Sequence, residues 1–188
     1  MAKPQRVGFF LIPGFAMTSF SLSIEALTAT NRVAGQDLYD YLACSPCALS
    51  AGDQVESSSR LHVQTTHSLD EGLECDVLIV CAYQGAPAFR DASFERQLRQ
   101  AARQGKTVVG ISCGAFVLAR AGVLAQTRCT LVPDYRPVFH ELYPAIEIQD
   151  SIFTVTQNVL TSAGGTSTLD MMLYLIGRHQ GADLVRLV

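Results

Sequence analysis

The stretch spanning residues 107–121, TVVGISCGAFVLARA, constrains the fold more than any other. Thr107, Val108, Val109 and Ile111 are β-branched and uncharged, which predicts a buried strand. Residues 115–121 predict a helix, with Ala115, Leu118 and Ala119 on one side and Arg120 toward water. Only Gly110-Ile111-Ser112-Cys113-Gly114 is left for the turn. A chain that passes from strand to helix within two or three residues strains its backbone there. Glycines on either side let neighbouring backbone come close. The apex residue then sits at a helix N-terminus, with free N–H groups pointing toward it, which suits a nucleophile or a bound anion.

Both Ser112 and Cys113 lie at this apex. The string is literally G-x-S-x-G, the nucleophile-elbow pattern, which is short and weak by itself. A Cys at a helix N-terminus has a lowered pKa and reacts. The plain alternative is a tight strand-to-helix turn of any α/β fold, holding a small Ser and a small buried Cys. Residue types alone do not favour the nucleophile over that alternative.

The rest of the chain reads as strands alternating with helices. Residues 7–12 are a continuous apolar run and predict a central parallel strand, ended by Pro13-Gly14. A helix over 22–33 follows, with Ser19 or Ser21 as its cap. Its Glu25 either faces solvent, as most charges do, or aims at a pocket above the strand ends. Strands are expected over 39–44, 61–65, 76–81, 128–132, 146–148, 152–154 and 159–162, and a polar hairpin tip or mobile loop over 50–60. Helices are expected over 94–103 and 168–178, with a helix or turn over 133–142. Tyr83, Gln84 and Gly85 follow a strand's carboxyl end, where open α/β sheets bind ligands. Asp170 complements the last helix's dipole. That helix is apolar over much of its surface. Core is its default role and a dimer face the sharper option. The alternation argues a doubly wound α/β sandwich of one domain.

Composition excludes several classes. The 188 residues suffice for a real core, and a net charge of −3 leaves no basic footprint for nucleic acid. No apolar run reaches ~20 residues, so no membrane span is expected, and the N-terminus lacks a signal-peptide pattern. Six cysteines without framework spacing fit a reducing cytoplasm. Cys44-Ser45-Pro46-Cys47 is a C-x-x-C that ends a strand rather than opening a helix. No second ligand pair accompanies it, so it reads as incidental. No metal or cofactor is expected.

Three blocks carry a resemblance: RVGFFLIPGFAMTSFSLSIEAL, GISCGAFVLARAGVL with RCT and ELYP downstream, and NVLTSAGGTSTLDMMLYLIGRHQGADL. Together they are similar to the N-terminal, class I glutamine amidotransferase-like (PfpI-like) domain of AraC-family transcriptional regulators. The match spans nearly the whole chain in the right order. It implies a three-layer flavodoxin-like sandwich with a mostly parallel central sheet. Such a domain senses a small metabolite, forms a homodimer and controls a helix-turn-helix domain. DNA would be met only through that second domain, expected beyond residue 188, with this chain a segment of a longer cytoplasmic protein.

Against the resemblance, the enzymatic relatives carry Cys at the elbow. Aligning Gly114-Ala115-Phe116 places Ser112 at that position and Cys113 one residue late. Val132 stands where a His is often found, and residues 16–20 hold no carboxylate. A Ser hydroxyl needs a base within hydrogen-bond reach. His140 and His179 have no sequence reason to meet Ser112. Two readings remain. In the first the chain is a non-catalytic sensor whose pocket is lined by Pro13, Gly14, Phe15, Tyr83, Gln84, Gly85, Ser112, Cys113 and Gly114, with Glu25 and Asp134. Helix N-termini near Gly114 and Gly164 favour a carboxylate-bearing ligand, such as an amino acid or a betaine-like compound. In the second it is a hydrolase, amidase or hydratase using Ser112 or Cys113 as nucleophile.

Overall fold

The computed structural model of the chain describes residues 3–125 and 127–188. Its centre is a six-stranded sheet built from β1 (Gln5–Leu11), β2 (Tyr39–Cys44), β5 (Val77–Ala82), β6 (Thr107–Ser112), β9 (Phe153–Thr156) and β10 (Val159–Ser162). The spatial order is β2-β1-β5-β6-β10-β9, with every neighbour parallel except the edge strand β9. The smaller strands lie outside this sheet. β3 (Gln54–Glu56) and β4 (His62–Gln64) form a hairpin, and β7 (Arg128–Cys129) pairs with β8 (Glu147–Ile148).

Helices cover both faces because the strands are apolar on both. Val7, Phe9 and Leu11 point to one layer, with Val77, Ile79, Cys81, Val109, Ile111 and Leu160 beside them. That layer is covered by α1 (Met17–Ala34) and α6 (Ser167–Gln180), through Phe20, Leu27, Met171, Met172, Leu175 and Ile176. Phe10, Leu42, Leu78, Val80 and Val108 point the other way. There they meet α3 (Ala92–Arg103), α4 (Gly114–Arg120) and α5 (Arg136–Leu142), through Phe94, Leu98, Phe116, Leu118 and Phe139. This is a three-layer sandwich with a mostly parallel sheet, as the alternation predicts. The short helices α2 (Leu69–Leu73) and α7 (Ala182–Val185) complete the set.

Two local departures from the expected boundaries have clear causes. α1 begins at Met17, five residues before the expected 22, and its N-cap Ala16 makes no side-chain bond. Ser19 and Ser21, which resemble caps, lie inside the helix, and the Ser19 carbonyl there accepts from Ser23 Oγ at 2.8 Å, the back-bonding open to a Ser within a helix. The short helix α2 carries a capping box, Ser68 with Glu71, that a search for long periodic segments passes over.

The edge of β2 is closed by bonds from Asn31 and Thr66 rather than by another strand. Asn31 Nδ2 donates to Tyr39 O, and Asn31 Oδ1 accepts from Tyr39 N. Further along, Thr66 N donates to Ala43 O while Thr66 Oγ1 accepts from Ala43 N. Capping both ends of the exposed edge removes a ready template for pairing with another chain.

Candidate functional site

The carboxyl ends of β1, β5, β6 and β10 meet at one end of the sheet, and the turns that follow them make the candidate site. Ser112 ends β6 with φ 59°, a left-handed backbone adopted among described non-glycine residues only by Arg60, Ser112 and Gln157. That conformation costs an L-residue roughly 1–2 kcal/mol, so surrounding structure must hold it. Cys113 N donates to Ala82 O at 2.9 Å, tying the apex to the neighbouring strand. A β-carbon at Gly114 would lie 2.6 Å from Val80 O, and one at Gly110 would lie 3.0 Å from Leu118 Cδ1. The two glycines of G-x-S-x-G therefore let α4 fold straight back over β5 and β6.

The strain distinguishes the two apex candidates. Ser112 is the strained residue, whereas Cys113 is the N-cap of α4 in an ordinary conformation (φ −88°, ψ 9°) and is fully buried. Burial pushes the Cys113 thiol up to about 12; a hydrogen bond with Ser112 opposes this and the Asp134 charge adds to it. The lowered pKa that a helix N-terminus predicts is thereby reversed. Loss of water around the thiolate outweighs the field of a seven-residue helix.

The turns on either side are fastened to each other. Gln84 N donates to Gly14 O at 3.1 Å, and Gly14 N donates to Glu56 O at 2.8 Å. Gly14 has φ 81°, and a β-carbon there would fall 2.7 Å from Gln84 O. Phe15 is fully buried beneath this junction, and Pro13 and Gly85 lie exposed at its rim. On the opposite side, Tyr83 meets Tyr135 edge-on with centroids 5.8 Å apart. Asp134, exposed in the 3-10 turn Pro133–Tyr135, is near enough to act on the Cys113 thiol. The third wall is the turn after β10. A β-carbon at Gly164 would lie 2.9 Å from Ser112 Cβ and 3.0 Å from its Oγ. Gly165 N donates to Ser19 Oγ at 2.9 Å.

Pro13, Gly14, Phe15, Tyr83, Gln84, Gly85, Ser112, Cys113, Gly114 and Asp134 therefore gather at one end of the sheet. Glu25 does not join them. It is exposed on α1, eight residues past the helix start, about 12 Å along the axis. The early start of α1 brings Ser19, not Glu25, under the strand ends. Ser19 and Tyr135 belong to the site without having been singled out for it. Ser19 has the look of a helix cap, and only the Gly164-Gly165 doublet after a strand hints that a turn must pass close to something.

No histidine reaches Ser112 among the described residues. His179 Nδ1 bonds the Tyr39 hydroxyl at 3.2 Å, at the other end of the sheet. His140 is exposed on α5, His62 lies in β4, and His67 bonds Thr66. Val132 precedes the turn at Pro133 and brings no polar side chain. Within the described residues no group of three or more His, Cys, Asp or Glu is placed to hold a metal. Cys44 and Cys47 are free thiols, one buried and one exposed. No helix described is long and apolar enough to cross a membrane.

Residues 5–178 match the DJ-1/PfpI family model. The chain is 35% identical over 185 residues to the HTH-type transcriptional regulator GlxA of Rhizobium meliloti (strain 1021), covering 98% of this chain and 56% of that protein. It is 32% identical over 182 residues to the HTH-type transcriptional regulator GbdR of Pseudomonas aeruginosa (strain UCBPP-PA14), covering 97% and 48%. The chain thus spans about half the length of the curated relatives it matches. An AraC family transcriptional regulator from Pseudomonas putida superposes with a TM-score of 0.86 at 29% identity, over 97% of this chain and 96% of that one. Drosophila melanogaster DJ-1beta shares the fold, with a TM-score of 0.81 at 18% identity over 98% and 95%.

Proposed function

The chain belongs to the DJ-1/PfpI family, and on that premise we propose that it is the non-catalytic, metabolite-sensing and dimerising part of an AraC-family transcriptional regulator. One observation carries the reading: the elbow keeps its strained apex, Ser112, but among the described residues no histidine hydrogen-bonds it, and the neighbouring thiol is buried. A hydroxyl without a base is a poor nucleophile, whereas a rigid apex among converging turns is a good binding floor. The regulators similar to this chain support the same reading.

The ligand is a small metabolite of amino-acid or betaine-like type. Its carboxylate is received by backbone N–H groups of the turn that opens α6. Its cationic end faces the Asp134 carboxylate and the half-exposed rings of Tyr83 and Tyr135. DNA is bound by a separate helix-turn-helix domain, and the protein works in the cytoplasm as a homodimer. A thermal-shift screen of small nitrogenous carboxylates tests this reading. The expected result is a rise in Tm with one chemical class, weakened by Ser112→Ala in a variant that keeps its fold. A hydrolytic activity that disappears in Ser112→Ala would overturn it in favour of an enzyme.

A further inference from the structure

We propose that Ser19 is a positioning residue whose hydroxyl latches the Gly164–Gly165 turn over Ser112, so that a ligand reaches the elbow only when this latch releases. The inference rests on the sensor reading and adds to it the part that moves. Ser112 is only 2% exposed although Gln84, Gly85, Asp134 and Gly165 around it are exposed. What covers it is the turn between β10 and α6. Gly164 leaves no room for a β-carbon between itself and Ser112. That turn holds two successive glycines with φ 88° and 58°, the residues best able to change backbone conformation.

One side-chain contact ties the turn across the molecule. Gly165 N donates to the Oγ of Ser19, which is fully buried in the first turn of α1. Ser167 Oγ bonds Gly164 O within the turn itself and shapes it without anchoring it. The bond to Ser19 is neutral. A carboxylate accepts from an amide N–H more strongly than a hydroxyl does, so an arriving carboxylate competes for the same Gly165 N–H. Released from Ser19, the turn displaces the start of α6, which packs against α1 and continues through Gly181 into α7.

Accessibility of the apex tests the latch without any ligand. The probe is iodoacetamide on a Ser112→Cys chain carrying Cys47→Ser to remove the exposed thiol, with modification at position 112 read by mass spectrometry. Adding Ser19→Ala is expected to raise that rate roughly tenfold or more, as the closed turn opens more often. Adding Ser23→Ala, which deletes a hydroxyl bonded only within α1, should leave the rate unchanged. A second measurement needs no change at Ser112: hydrogen exchange of the Gly165 amide should quicken in Ser19→Ala and stay as it was in Ser23→Ala. An unchanged Gly165 exchange rate in Ser19→Ala overturns the latch, as does an equal rise with Ser23→Ala. Because neither measurement uses a metabolite, a failed thermal-shift screen beside a raised alkylation rate would sink the sensor reading while upholding the latch.

Discussion

A left-handed serine and a glycine pressed against it carry the energetics of this site. Gly164→Ala adds a methyl where none fits, at φ 88°, so left-handed strain and overpacking add. We expect a loss of about 2–4 kcal/mol in urea unfolding. Ser112→Gly removes the atoms that the new methyl strikes, so the double variant should recover roughly 1 kcal/mol or more of that loss; strict additivity would show that the two residues do not press on each other. The neighbouring thiol yields a second expectation. With its pKa pushed up to about 12, Cys113 should alkylate far more slowly than the exposed Cys47, and its rate should rise about tenfold per pH unit from pH 7 to 10. Peptide-resolved labelling reads this directly. A plateau near pH 8 would mean an activated cysteine. The G-x-S-x-G string exposed the elbow but not which residue is its apex. The first is a matter of local spacing. The second depends on φ at Ser112 and on how completely the layer of α3, α4 and α5 excludes water from Cys113, and neither quantity is local.

Among the elements, those set by local pattern were legible to the residue, and those set by packing were not. β2 and β10 fall where alternation and apolar runs place them, over 39–44 and 159–162. The start of α1 was hidden because a serine near a helix start looks like a cap, whereas the Ser19 hydroxyl lies inside the helix and accepts from Gly165 N far along the chain. The broad apolar surface of α6 left core and dimer face open. Met171, Met172, Leu175 and Ile176 now lie in the layer above the sheet, while Tyr174 is 39% exposed and stacks near Phe153. Leu175→Glu should therefore abolish the cooperative unfolding transition, because it buries an unpaired charge. Tyr174→Glu should stay folded by circular dichroism, and light scattering on it would show whether a dimer uses that face. The C-terminal end of α6 gives a pH expectation. Burial, with the Arg178 charge as a lesser cause, holds His179 below its ordinary 6.5, while burial pushes the Tyr39 hydroxyl that bonds it up to about 12 and keeps it protonated. The folded chain therefore binds fewer protons at His179 than the unfolded chain. The stability held by neutral His179 is complete above about pH 6.5 and declines as pH falls below it. Between pH 7.5 and 5.5 the Tm should fall further in the unaltered chain than in His179→Gln, and equal falls would remove His179 from the account.

On the scale of the whole molecule, the fold places its chemistry at one end of the sheet and its last helices along one layer. Function was less legible than fold, since the same sandwich is found in the AraC family transcriptional regulator from Pseudomonas putida and also in DJ-1beta. What bears on the readings is which side chains surround Ser112; among the described residues no histidine hydrogen-bonds it. Charge makes the separation testable. Lys and Arg number 14 against 17 Asp and Glu, and several of the arginines are held in ion pairs: Arg6 to Asp40, Arg120 to Glu95, Arg136 to Asp150. Phosphate binding needs a concentrated positive face that can release condensed counterions, and the affinity it brings falls steeply with salt. This chain offers no excess of cations from which to build one. In fluorescence anisotropy at about 0.1 M salt, it should show no binding to duplex DNA at protein concentrations up to about 100 μM, the weak end of non-specific association. Saturable, salt-sensitive binding by these 188 residues alone would contradict the division of labour proposed above. The sensing layer would then itself be a DNA-contacting surface, and the turn at Gly164–Gly165 would have to be reconsidered as part of it.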